Sequence, residues 1–255
     1  MPELPEVECI VLWLRPKVVG RTLSRVEVLD PMLARSVEVL PLPAKVLDLF
    51  RLGKHVVFHL DQGFLVVHLR MSGTLLWGRV GRPAHTRCIF HLSRGALFFV
   101  DVRRLGTVES REDLELGLGP DALSDLGFLR SALGKSRVPI KLWLMNQTNI
   151  AGIGNIYASE ILFEAGIDPR RPASSLTAAE VKRLGRAIPQ VLGRAIQCTG
   201  STLRDGRYLL PNGDLGGYAP QVYGREGQPC AICGRPIARL DLGGRGTFLC
   251  PHCQR

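Results

Sequence analysis

The chain reads as a multidomain α+β protein: a leading helix with an antiparallel β-sandwich, a helical module, and a C-terminal four-cysteine β-hairpin ribbon. Three observations carry this expectation. Between about residues 21 and 108 short apolar runs alternate with turns bearing Gly and Asp, past Pro120 the apolar spacing becomes helical, and two Cys-x2-Cys pairs close the chain. With 255 residues, 45% of them hydrophobic, the chain can bury a core and hold two or three modules. The boundaries fall at 1–116 for the sandwich with its helix, 117–212 for the helices, and 213–255 for the ribbon and the loop leading into it.

The first element is a helix. Pro5 suits a first turn, and Val7, Ile10, Val11 and Leu14 repeat at helical spacing. Strand-like runs follow at residues 25–29, 55–60, 64–69 and 96–100, broken by Asp61-Gln62-Gly63 and Ser93-Arg94-Gly95. Many short strands joined this way predict an antiparallel sandwich. After the loop Leu118-Gly119-Pro120-Asp121, residues 122–132, 139–147, 155–165, 177–197 and 202–205 read as helices, with Thr177 to Glu180 forming a capping box. A Gly/Pro-rich stretch at 211–220 reads as a loop or linker.

The two ends carry the chemistry. If Met1 is removed, the chain starts with the secondary amine of Pro2, one residue from Glu3 and four from Glu6. Such an amine titrates near neutral pH, so a nucleophilic neutral fraction exists there. A helix N-terminus disfavours its charged form and the carboxylates favour it. On these residues alone the opening is equally a Pro-capped, acid-rich helix start. At the other end, Cys230, Cys233, Cys250 and Cys253 have zinc-ribbon spacing and make one closed, structural tetrahedral Zn2+ site. Two disulfides are the competing reading, and His252 is a spare ligand. Cys9, Cys88 and Cys198 read as small buried or half-buried side chains.

Charge narrows the partner. Lys and Arg number 33 against 23 Asp and Glu, a formal net charge of +10, which favours nucleic acid over an anionic membrane. An acidic N-terminus and the absence of an 18-residue apolar run argue against secretion and membrane spanning and leave the cytoplasm.

Five segments occur in order along the whole chain: Met1 to Glu8, His68-Leu69-Arg70-Met71-Ser72-Gly73, Asp101-Val102-Arg103-Arg104-Leu105-Gly106, Gly152 to Glu160, and the four-cysteine ribbon with Arg245-Gly246-Thr247-Phe248. Together they resemble the bacterial formamidopyrimidine-DNA glycosylases, which excise oxidised purines such as 8-oxoguanine. Leu4 and Val7 look like that branch rather than its sister, endonuclease VIII. The resemblance implies a β-sandwich with its leading helix, a helix-two-turn-helix domain, a zinc-bearing β-hairpin, and DNA running across a cleft between the halves. It implies a monomer acting on damaged double-stranded DNA at the bacterial nucleoid.

The same resemblance implies roles. Pro2 is the Schiff-base nucleophile, Glu3 the acid that opens the sugar, and Glu6 the support of the amine. Lys54 serves the first elimination and Arg245 the second. Met71 plugs the hole left by the extruded base, Arg103 donates to the orphaned opposite base, and Leu105 wedges between base steps. His85, Arg137, Lys141 and Asn155 fall at contacts to phosphate or lesion, and residues 202–218 at the base-capping loop. Without the resemblance, Lys54 reads as a solvated charge, Arg245 as a nonspecific phosphate ligand, and Met71 and Leu105 as core. The chain departs from the family at Arg70, a usual glycine; at Val102, a usual proline; at Leu105, a usual phenylalanine; and at Leu142, where proline is frequent. All lie near lesion-reading loops. The alternatives are an abasic-site lyase or endonuclease VIII-like glycosylase with altered base choice, and a non-enzymatic zinc-ribbon DNA-binding protein.

Overall fold

The computed structural model describes residues 2–33, 41–78, 81–202 and 208–255. The chain forms two compact units: Met1–Leu116 with Cys198–Gly217, and Gly117–Gln197 with Tyr218–Arg255.

The first unit opens with α1 (Leu4–Val18), whose Val7, Ile10, Val11 and Leu14 are all buried, as their spacing predicts. Eight strands follow: β1 (Thr22–Val28), β2 (Ala44–Leu52), β3 (His55–Leu60), β4 (Gly63–His68), β5 (Gly73–Gly78), β6 (Thr86–Leu92), β7 (Ala96–Asp101) and β8 (Thr107–Arg111). All their pairings are antiparallel, in the order β5-β7-β6-β1-β2-β3-β4-β8. Among the described residues the two four-stranded halves pair in register at Thr22↔Lys45 and Leu23↔Ala44 on β1 and β2. A short junction lets them fold face to face, and Phe58 of β3 stacks on Phe90 of β6 with ring centroids 5.8 Å apart. The expected sandwich is present, and α1 covers β2.

The second unit is helical with a ribbon: α2 (Leu129–Leu133), α3 (Ile140–Met145), α4 (Asn155–Ala165), a 3-10 turn at Ala173–Ser175, α5 (Ala178–Gln197), and the hairpin β9 (Ala238–Leu242) and β10 (Arg245–Leu249). Thr177 and Glu180 make the expected capping box at the start of α5. Ribbon and helices share a core of Phe163, Val222, Cys230, Ile237 and Cys250. Among the described residues no helix is long and apolar enough to cross a membrane.

Two expectations are revised. The helix read at 122–132 shrinks to α2, because Asp121 and Asp125 capture the backbone amides of Leu123 and Gly127 in side-chain turns that compete with helix. The segment Cys198–Gly217 packs with the sandwich. It is stitched to β5, where Trp77 N donates to Pro211 O (2.8 Å) and Thr74 Oγ1 to Leu209 O (3.4 Å). Cys198 is exposed, while Cys9 and Cys88 are buried as expected. The short helix read at 202–205 lies mostly outside the described residues.

The β4–β5 turn explains one departure from the family. Arg70 sits at φ +51°, in the left-handed region where a Cβ is strained and glycine is not. Its N–H donates to His68 Nδ1 at 2.9 Å, which holds the conformation. Arg70→Gly should therefore raise unfolding stability by about 1 kcal/mol, read as an increased urea midpoint at unchanged m-value.

Candidate active site

The start of α1 is buried. Pro2 is buried, and Glu3 and Glu6 are each 1% exposed. Glu3 is the N-cap and Glu6 the third helical residue, forming a reciprocal capping box in which Glu3 N donates to Glu6 Oε2 at 2.9 Å. The other oxygen, Oε1, accepts Ser201 N at 2.8 Å. The Glu6 carboxylate is thereby fixed on the backbone of Glu3, the residue next to Pro2. Gly200, at φ +81°, permits this approach: a Cβ there would sit 2.9 Å from Tyr208 Cε1 and 3.1 Å from Glu6 Oε1. Tyr208 Oη closes the arrangement by donating to Thr199 O (3.0 Å) and Glu6 O (3.4 Å). Burial, with the nearby charges of Glu6 and Glu8, pushes the Cys9 thiol up to about 12, so it stays protonated and does not compete as a nucleophile.

Lys54, in the β2–β3 turn, is 6% exposed, not the solvated charge that its sequence context allows. Arg51 braces that turn, donating from Nε to Glu8 Oε2 on α1 (2.7 Å) and from a terminal nitrogen to Gly53 O (3.0 Å). Beside it His55 and His68 meet edge to face with centroids 4.6 Å apart. His68 Nδ1 accepts the Arg70 amide, so its proton resides on Nε2 and the ring is neutral. Burial pushes its pKa down to about 3, helped by the neighbouring charges of His55, Arg70 and Lys54. His55 Nδ1 donates to Leu52 O, and burial lowers its pKa as well.

Met71, His85, Arg103 and Leu105 are all exposed, in the β4–β5 turn, the turn before β6 and the loop after β7. Met71 (38%) and Leu105 (43%) are therefore not core. Val102 is 60% exposed.

In the second unit Arg245 is exposed at the start of β10, and Arg137 is exposed ahead of α3. Lys141 is different. It is fully buried and donates from Nζ to Thr247 Oγ1 (2.7 Å) and Gly246 O (3.2 Å). Asn155 Nδ2 donates to the same Gly246 carbonyl (3.1 Å), while Asn155 Oδ1 is buried with no hydrogen-bond partner among the described residues. In this structure both side chains steady the ribbon residue next to Arg245. Leu142 lies against the ribbon turn, where a Cβ on Gly243 would sit 3.0 Å from its Cδ1.

Three residues of this arrangement escaped the sequence reading. Ser201 Oγ is buried without a partner among the described residues, next to the Glu6 carboxylate. Glu160, 2% exposed, accepts the amides of Gln221, Val222 and Tyr223 and the hydroxyl of Tyr218. Burial raises its pKa, and those four donors offset part of the rise. The available signal was a charge inside the apolar run of α4, where a core residue belongs. Asp101 is the third.

The four ribbon cysteines converge, with all Sγ atoms within 4.8 Å of one another. Cys230 and Cys253 Sγ are 3.9 Å apart and Cys233 and Cys250 Sγ 3.5 Å. A disulfide needs about 2.05 Å, whereas four thiolates at about 2.3 Å from one tetrahedral Zn2+ stand near 3.8 Å from each other. The residues fit one zinc ion with no ligand position left open, so its role is structural. Gln254 ties the site to the helical body, accepting Cys250 N and donating to Ile167 O.

Residues 1–108 match the formamidopyrimidine-DNA glycosylase N-terminal domain, residues 118–206 the H2TH domain of the same enzymes, and residues 227–255 the zinc finger found in FPG and IleRS. The chain is 44% identical to the formamidopyrimidine-DNA glycosylase of Thermus thermophilus, covering 100% of this chain and 98% of that protein. It is 38% identical to the enzyme of that name from Streptococcus pneumoniae, covering 100% and 99%. The crystal structure of the MutM (Fpg) protein from Thermus thermophilus superposes with a TM-score of 0.91 at 42% identity, covering 99% and 98% of the chains. The Lactococcus lactis Fpg in complex with DNA containing an abasic site superposes at 0.89 and 31% identity, covering 99% of each chain.

Two measurements probe this geometry. His68 is neutral in the fold to about pH 3 but titrates near 6.5 when unfolded, so the unfolded chain binds the extra proton between those values. Its contribution is full above pH 6.5 and falls by up to about 1.4 kcal/mol per pH unit as pH drops toward 3. His68→Asn, which keeps an acceptor for the Arg70 amide, should flatten that dependence in urea unfolding at pH 7 and pH 5. Chelating the zinc should unfold the ribbon and lower the melting temperature, since such sites hold about 10–16 kcal/mol of metal-binding energy coupled to folding. Unchanged melting after verified metal removal would refute the assignment.

Proposed function

Because the chain belongs to the formamidopyrimidine-DNA glycosylase family, and is a DNA glycosylase of base excision repair, we propose that it removes oxidised purines, 8-oxoguanine and formamidopyrimidines, and then cuts the strand through a Pro2 Schiff base. A base inside a duplex is out of reach, so the nucleotide must leave the stack, at a cost of about a few kcal/mol that is smaller at a lesion. The neutral Pro2 nitrogen then attacks C1′. The glycosidic bond breaks and its electron pair leaves with the base, which takes up the proton that the Pro2 nitrogen sheds. The nitrogen lone pair then breaks the C1′–O4′ bond, and Glu3 protonates the ring oxygen as the ring opens. The product is an iminium between Pro2 and C1′. That cation acidifies the neighbouring sugar carbon, so loss of a proton expels the 3′ phosphate, and a second elimination expels the 5′ phosphate. Lys54 serves the first elimination and Arg245 the second.

The observation that carries this reading is the burial of Pro2, Glu3 and Glu6 together at a helix start, with both Glu6 oxygens committed to backbone amides. A DNA-binding ribbon protein would have no use for two carboxylates fixed beside a terminal amine. Met71, Arg103 and Leu105 fill and brace the space that the extruded base vacates, while His85 and Arg137 hold phosphates and Lys141 and Asn155 act there by steadying the ribbon. One chain acts per lesion, on damaged duplex DNA in a bacterial cytoplasm, and the net charge of +10 suits that polyanion.

Borohydride reduction should trap a covalent complex with duplex DNA containing 8-oxoguanine or an abasic site. Protein whose leading nitrogen is acetylated should neither trap nor excise. Glu3→Gln should lose about 10²–10⁴-fold in base excision. Lesion removal at normal rate by acetylated protein would overturn the mechanism.

A further inference from the structure

Asp101 ends β7 with its side chain wholly buried, and its polar atoms gather three loops. Oδ1 accepts Ser72 Oγ (2.5 Å) and Arg103 N (3.1 Å); Oδ2 accepts Leu105 N (2.8 Å) and Gly106 N (2.7 Å). Its own N–H donates to His85 O (3.1 Å), and its carbonyl accepts Arg87 Nε (2.7 Å). Ser72 adjoins Met71, so one residue bonds to the three loops that carry Met71, His85, and Arg103 with Leu105.

The surroundings leave this knot little freedom. A Cβ on Gly106 would sit 2.5 Å from Phe99 Cζ and 3.3 Å from Asp101 Oδ2, and one on Gly73 would sit 2.5 Å from Leu69 O. Arg104 is tied back on Asp30 through two bonds of 2.8 and 2.5 Å, which secures the far side of the loop while Arg103 and Leu105 stay exposed. Burial pushes the Asp101 carboxyl toward its neutral form, but the Ser72 hydroxyl and the three amides outweigh it and hold the pKa below the usual carboxylate range. A carboxylate is acceptor-only, and four donors saturate it.

We propose that Asp101 is a positioning residue whose carboxylate ties the Met71 turn to the loop after β7 as one piece, while its backbone N–H holds the His85 turn, so that Met71, Arg103 and Leu105 enter the duplex together when the damaged nucleotide leaves it. This rests on the reading that those side chains fill the vacated space. Loops ordered before binding do not lose that conformational entropy on DNA, and the saving appears where the duplex must be opened.

Asp101→Asn keeps the shape but turns one acceptor into a donor facing donors. The ratio of kcat/KM for excising 8-oxoguanine opposite cytosine to the rate of borohydride trapping at a preformed abasic site should fall about 30-fold. The deficit should shrink to about threefold when the lesion faces an abasic analogue, because an unpaired nucleotide leaves the stack cheaply. A merely structural role would depress excision and trapping together and show no such rescue. Ser72→Ala, which cuts only the tie to the Met71 turn, supplies the second arm and decides the matter if Asp101→Asn fails to fold. Met71→Ala should cost less in that background than in wild type, and strict additivity would overturn the proposal. Wild-type protein that neither excises nor traps sinks the enzymatic reading and this inference together. Normal wild-type activity with an unchanged ratio in Asp101→Asn sinks this inference alone.

Discussion

A buried carboxylate that accepts backbone amides is the constraint on which the functional loops depend. Glu6 receives the amides of Glu3 and, 195 residues later in the chain, Ser201. Asp101 receives those of Arg103, Leu105 and Gly106, and Glu160 those of Gln221, Val222 and Tyr223. Each carboxylate sits at the end or in the body of a regular element and reaches into an irregular one. Loops have no ladder of their own to satisfy their N–H groups, and a buried amide without a partner is costly. Placing an acceptor-only side chain in the rigid element solves both problems, because the loop satisfies the charge and the charge shapes the loop.

Such groups add little net stability, since desolvating a carboxylate offsets what its hydrogen bonds return. What they confer is one conformation out of many. This accounts for where the charges lie. The sandwich core of Val56, Val57, Leu65, Val67, Leu75 and Phe99 is apolar, and the buried acids stand at its margins, at the start of α1 and the end of β7. Gly200 and Gly106 belong to the same devices, because each lets a loop backbone come within reach of its carboxylate or of the core beside it, where a methyl group would collide.

Periodic features were legible in the sequence. Val7, Ile10, Val11 and Leu14 announced α1, alternating apolar runs announced strands, and Cys-x2-Cys pairs announced the ribbon, because each repeats a spacing imposed by local geometry. Singular, long-range interactions were not legible. Nothing near Asp101 in the chain says that Ser72 and His85 will meet it, and nothing near Lys141 says that Thr247 will bury its ammonium. The segment 198–217 is expected by chain order partly with the helices, up to 212, and partly with the ribbon, from 213. Its actual partners on β5 are more than 120 residues earlier. Short Asx turns after Asp121 and Asp125 likewise overruled a helical pattern that looked continuous.

The departures from the family pattern take on meaning in this frame. Arg70 keeps the left-handed backbone that glycine would adopt freely, and the His68 acceptor holds it there, so the Met71 turn survives the substitution as geometry. Val102 gives up the fixed φ of proline in the loop after β7, yet that loop is gripped on both sides of it, by Asp101 through the amides of residues 103, 105 and 106 and by Asp30 through Arg104. A proline restricts the loop before it folds; a carboxylate restricts it after. The chain has the second device and lacks the first, and the exposed Leu105 projects from a loop that is still defined. What differs at position 105 is the side chain itself, a branched aliphatic group in place of an aromatic ring, which packs by its surface without the stacking a ring would add.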